Sequence, residues 1–248
     1  GQLDHPGIVP VHELGVDEEG RAFFTMKLVR GQTLHDVIGL LHEDAQGWTL
    51  TRALGILQRV CEAMAYAHAK GVIHRDLKPA NIMVGRFGEV FVMDWGLARI
   101  LGASEGSSRP SPEDTGRPRS ITIHSDRREH GLDTPDSPLI TLDGDIIGTP
   151  SYMSPEQAEG ALENLGPRSD VYAVGAMLYH LLTGEVPYLR GENAHPRKLW
   201  ALVLAGPPAP ISEIARDVPE ELIAICERAM ARKSAERYED MTALGEDL

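Results

Sequence analysis

One short run gathers the polar groups that moving a phosphoryl group requires: His74-Arg75-Asp76-Leu77-Lys78-Pro79-Ala80-Asn81. Thirteen residues after Asn81 comes Asp94-Trp95-Gly96. A carboxylate can steer a hydroxyl nucleophile, and a lysine can offset charge on a moving phosphate. An amide and a second carboxylate offer oxygen ligands for Mg2+. Pro79 stiffens the run and removes one backbone donor.

These residues need elements to hold them. Leu50, Leu54, Leu57, Cys61, Met64 and His68 recur every three or four positions. That spacing predicts one face of a helix ending at Lys70-Gly71, just before the run. Ile82-Met83-Val84 and Val90-Phe91-Val92-Met93, with Gly85-Arg86-Phe87-Gly88 between them, read as a hairpin that delivers Asp94. Upstream, Ile8, Val9 and Val11 read as one strand and residues 22–29 as a second, with Gly31 as a break. Residues 170–182 are apolar on nearly every side and predict a buried helix stopped by Thr183-Gly184. Pro219-Glu220-Glu221 opens a further helix with Pro at its first position. Residues 102–140 differ: 19 of 39 are Ser, Thr, Pro or Gly and six are apolar, which predicts a disordered insertion inside a domain. The expected class is α+β, mainly helical with a little sheet.

Composition bounds the alternatives. The 248 residues carry a formal charge of −13, with 42% apolar and 25% charged residues. This is a globular composition, and the negative balance argues against a nucleic-acid-binding surface over the whole chain. Cys61 and Cys226 both fall in apolar helical patterns and read as buried free thiols, in keeping with a reducing, cytoplasmic setting. No apolar run is long enough to predict a membrane span in this chain. The ten histidines are scattered, without metal-ligand spacing.

The 74–81 run and its spacing to Asp94-Trp95-Gly96 resemble the catalytic and metal loops of eukaryotic-type protein kinases, in their bacterial-like serine/threonine form. Trp95 stands where that family usually has Phe. Gly148-Thr149-Pro150-Ser151-Tyr152-Met153-Ser154-Pro155-Glu156 resembles the end of a kinase activation segment, with Ser154 in place of the usual Ala. Ser169-Asp170-Val171-Tyr172 resembles the start of the buried central helix, and Arg237 the late arginine that pairs with the segment's glutamate.

The resemblance implies ATP and Mg2+ as cofactors and Ser/Thr hydroxyls of proteins as acceptors. It implies that Asp76 handles the hydroxyl proton, Lys78 neutralises the γ-phosphate, Asn81 and Asp94 hold Mg2+, and Thr149 bonds near Asp76 and Lys78. His74 would pack on Trp95, and Asp170 would bind the loop backbone. Glu156 would pair with Arg237, and Arg75 would meet a phosphate on Thr141, whose charge Asp143 and Asp145 could instead supply. Met26, Lys27 and Val29 would border the adenine, Met26 as an interior gatekeeper, with Met83 beneath the ring. On this pattern residues 1–30 are the remnant of a kinase N-lobe and hinge, and 31–248 are the C-lobe. No G-x-G-x-x-G and no lysine in a V-A-I-K context occurs. The chain therefore reads as a fragment beginning after those elements and turning over slowly by itself. The alternatives are a pseudokinase-like scaffold and a small-molecule phosphotransferase.

Overall fold

The structure is a computed structural model that describes residues 3–17, 21–101, 150–189 and 195–248. Ile8 and Val9 are buried, and Ile8 bridges Val92 in parallel, so this stretch joins the core before any ribbon begins. The expected first strand therefore starts later. β1 (Val11–Val16) pairs antiparallel with β2 (Ala22–Met26), which ends earlier than the pattern implied. Val16, Phe23 and Phe24 in this two-stranded ribbon are exposed.

β3 (Gly31–Thr33) begins where a break was expected. A Cβ on Gly31 would lie 1.9 Å from the Val84 carbonyl oxygen, so only glycine lets the strands come this close. Thr33 then caps α1 (Leu34–His42) in a reciprocal capping box with Asp36. α1 buries Leu34, Val37 and Ile38. α2 (Leu50–Ala69) follows, capped by Thr49, with Leu57, Val60, Cys61 and Met64 inside. Gly71, at φ +73°, turns the chain out of α2 into β4 (Val72–Ile73). β5 (Ile82–Gly85) and β6 (Val90–Val92) form the expected hairpin, completing a sheet of order β3-β5-β6. β7 (Arg99–Ile100) pairs with β4, so the stretch from 74 to 98 leaves and returns at one place.

The remaining elements among the described residues are helical. α3 (Pro155–Ala158) is a single turn capped by Ser154. α4 (Pro167–Thr183) is buried from Ser169 to Leu182, in line with its apolar character on all sides. α5 (Pro196–Ala205), α6 (Ile211–Ile214), α7 (Glu220–Ala229) and α8 (Met241–Asp247) complete the chain. Pro219 sits at the cap of α7, one place before its first helical residue. α2, α4, α7 and α8 share one core built from Leu57, Met64, Val174, Met177, Cys226 and Leu244. Burial pushes the Cys61 thiol up to about 12 and raises Cys226 as well, so both stay neutral. Among the described residues no helix is long and apolar enough to cross a membrane.

Candidate active site

The loop after β4 is held from α4. Asp170 is 1% exposed and aims its carboxylate at two loop amides. Its Oδ2 accepts from the His74 N–H at 2.9 Å and its Oδ1 from the Arg75 N–H at 2.9 Å. Oδ2 also meets His68 Nε2 of α2 at 2.8 Å. Burial pushes this carboxyl up, yet His68, His74 and the His74 amide together hold it below its ordinary value. Asp170 is thus a charged acceptor with three partners.

His74 is fully buried, and its ring position is over-determined. Nε2 donates to the Met93 carbonyl at 2.9 Å, and Nδ1 accepts from the Asp76 N–H at 3.3 Å. A carbonyl can only accept and an amide can only donate, so the neutral Nε2–H form fits. Burial holds the imidazole below its ordinary pKa, against the pull of Asp170 and the Met93 carbonyl. The ring packs on Trp95 with centroids 4.7 Å apart, and Trp95 Nε1 donates to the Val92 carbonyl at 3.1 Å. Trp95 thus both covers the His74 ring and ties itself to the backbone of β6.

Asp76 is the focus of the loop. Lys78 Nζ donates to its Oδ2 at 2.8 Å and its Oδ1 at 3.1 Å, with both side chains largely buried. Asn81 Nδ2 donates to the Asp76 carbonyl at 2.8 Å and to Oδ2 at 3.2 Å. With Nδ2 committed there, Oδ1 is the atom of Asn81 able to face a cation. The Met93 N–H donates to the Asn81 carbonyl at 2.8 Å, so Met93 is gripped from Asn81 on one side and His74 on the other. Asp94 follows in the left-handed region, φ 57° and ψ 64°, with an exposed carboxylate beside Gly96. The carboxylates of Asp76 and Asp94 both act on His74. The donor set is hard oxygen throughout, which fits Mg2+ better than a softer metal.

Around this loop stands a buried frame. Arg237 Nη1 and Nη2 donate to Glu156 Oε1 and Oε2 at 2.7 and 2.8 Å. Its remaining N–H groups go to the carbonyls of Ala231, Arg168 and Arg232, so all five guanidinium donors are used. Ser169 Oγ donates to Glu156 Oε1 at 2.8 Å. Burial pushes the Glu156 carboxyl up, but Arg237 and Ser169 bring it below its ordinary value. The Tyr152 hydroxyl bonds His180 Nδ1 of α4 at 2.8 Å, and burial holds that imidazole down at about 4.

The structure thus brings together Asp76, Lys78, Asn81, His74, Trp95 and Asp170, and joins Glu156 to Arg237. Lys27 Nζ lies 4.9 Å from the Phe91 ring, and Phe91 is the cross-strand partner of half-buried Met83. Val29 is half-buried. Met26 corrects an expectation: it is 46% exposed instead of interior, because the ribbon that carries it turns its side chains to solvent. Thr141 and Thr149 lie outside the described residues, as does the stretch 102–140. Sequence reasoning missed the part played by His68 and Gln157. His68 did carry a signal, a polar residue on an apolar helix face, but its partner stands 102 residues away.

A family model described as a protein kinase domain matches residues 1–116. The serine/threonine-protein kinase PknD of Protochlamydia amoebophila is 33% identical over 258 residues, spanning 100% of this chain and 24% of that protein. PknD of Chlamydia trachomatis is 33% identical over 253 residues, 99% of this chain and 25% of its own length. PknB of Mycolicibacterium smegmatis is 34% identical over 249 residues, 99% of this chain and 33% of its own length. The chain therefore spans about a quarter to a third of the length of these relatives.

Proposed function

Because the chain belongs to the protein kinase domain family, in its bacterial serine/threonine form, we propose that it carries the catalytic loop of an enzyme that transfers the γ-phosphoryl group of ATP to Ser or Thr hydroxyls of proteins. The observation that carries this reading is Asp76, an acid gripped by Lys78 and Asn81 on a backbone pinned by Asp170.

Asp76 accepts or steers the proton of the attacking hydroxyl. Lys78, already at the Asp76 carboxylate, is within reach of a phosphate brought to the same acid, and there it offsets developing charge. Asn81 Oδ1 and the Asp94 carboxylate would hold Mg2+, which when bound neutralises phosphate charge. Asp170 and His74 keep the loop from relaxing while these groups are brought to one place. Lys27, Val29 and Met83, with Met26 at the end of β2, border the nucleotide base. The complete acid–lysine–amide set disfavours a purely docking role.

The test is phosphate transfer from labelled ATP to a Ser/Thr peptide panel by the intact protein and its Asp76→Asn variant. Loss of a positioned acid–base group should lower kcat by roughly 10²–10⁴-fold, with ATP affinity retained. An active Asp76→Asn enzyme, or an intact protein that phosphorylates no peptide, would overturn the reading.

A further inference from the structure

The peptide unit joining Arg75 to Asp76 is held at both of its polar atoms. Its N–H, on Asp76, donates to His74 Nδ1 at 3.3 Å. Its C=O, on Arg75, accepts from Gln157 Nε2 of α3 at 2.8 Å. Arg75 itself is at φ +72°, a left-handed conformation that a non-glycine residue holds only when its surroundings impose it.

Gln157 is well placed to impose it. Its side chain is nearly buried, and its amide orientation is dictated by its partners. Oε1 accepts from the Ser154 N–H at 3.2 Å and from Ser154 Oγ at 3.1 Å. The Ser154 N–H can only donate and the Arg75 carbonyl can only accept, so one orientation of the amide satisfies both. Ser154 is fully buried, and its hydroxyl is the second donor on that oxygen. The next residue back from Gln157 is Glu156, which Arg237 locks in place. A rigid path therefore runs from the Glu156–Arg237 pair through Ser154 and Gln157 to the peptide that carries Asp76.

We propose that Gln157 is a positioning residue for the reaction: its amide orients the Arg75–Asp76 peptide, with Ser154 setting the orientation of that amide. The inference rests on the proposed role of Asp76. Gln157 touches no reacting group. It acts on where the Asp76 carboxylate points.

The test uses Gln157→Glu and Gln157→Met in the intact protein. The first keeps the acceptor for Ser154 and loses the donor to Arg75; the second keeps length and loses both. Backbone amide exchange by NMR reads the geometry without needing activity. The Asp76 amide should exchange at least about tenfold faster in both variants, while the Asn81 and Met93 amides stay as in the parent. Steady-state kinetics should show kcat lowered by roughly 10–100-fold, the scale of a small misplacement of a catalytic group, with KM for ATP essentially unmoved. Ser154→Ala should give the same pattern, weaker. Unchanged exchange at Asp76 would overturn the link. Faster exchange with unchanged kcat would overturn a role in the reaction. Loss of protection at Asn81 and Met93 together with Asp76 would reduce Gln157 to a general structural residue and overturn positioning. If the intact protein transfers no phosphate, the kinase reading fails, and exchange at Asp76 still decides whether Gln157 orients this peptide.

Discussion

Replacing Arg237 with Met should cost this protein a large part of its stability. Arg237 is 3% exposed and Glu156 8% exposed, so the substitution leaves a carboxylate buried without its cation. It also removes donors from the carbonyls of Ala231, Arg168 and Arg232. Methionine keeps most of the length, so little volume is lost. Breaking a buried pair from one side costs about 3–5 kcal/mol, against a typical total of about 5–15 kcal/mol. Adding Glu156→Gln to Arg237→Met removes the stranded charge and should restore roughly 1–3 kcal/mol, the scale of one unmet polar group. Urea unfolding followed by circular dichroism, at equal m, measures both. The pH dependence supplies a second check. In the parent, the Glu156 pKa is depressed below its ordinary 4.5, so its contribution is present above that value and is lost as pH falls through the folded pKa. In Arg237→Met the unpaired carboxyl is pushed up by burial, so its penalty is relieved as pH falls and the acid protonates. The gap between parent and variant should therefore narrow from pH 7 towards pH 4. A loss under about 1 kcal/mol, the range of an exposed pair, would refute the reasoning. So would a double variant no more stable than the single one.

Two further outcomes are expected. Asp170→Asn turns an amide donor towards a site where all three partners donate, and should destabilise by about 2–4 kcal/mol at pH 7. Because the Asp170 pKa is depressed from 3.8, that cost should fade as pH drops below about 3.8; an undiminished difference in acid melts would contradict it. In hydrogen exchange, β1 and β2 should exchange well ahead of the interior of α2, since Val16, Phe23 and Phe24 are exposed while Leu57, Val60 and Met64 are buried. Equal slow exchange in both segments would count against the described packing.

The chemistry of the loop was legible because it is local. Asp76, Lys78, Asn81 and Asp94 lie within 19 residues, and the helix before them and the hairpin between them follow from periodicity and turn residues. The buried character of α4 and of both cysteines followed from apolar patterning. The start of α1 is equally local, since Thr33 and Asp36 form a capping box only three residues apart. Resemblance to the kinase family supplied Glu156 with Arg237 and Asp170 with the loop, which composition and spacing could not.

Other features exist only in three dimensions. Nothing in the pattern of residues 22–29 says that Met26 faces solvent, since a strand's exposure depends on which partners cover it. His68 and Asp170 are 102 positions apart, and Gln157 and the Arg75 carbonyl 82 apart. A hydrogen bond needs its atoms within about 3 Å and in line, and no side chain states in advance which distant backbone group it will satisfy. The sequence by itself determined which acids, amide and lysine the loop carries. Only the packing of α2, α3 and α4 against one loop decided how Arg75 is held left-handed and where Asp76 points, because those constraints come from burial and geometry shared among segments far apart in the chain.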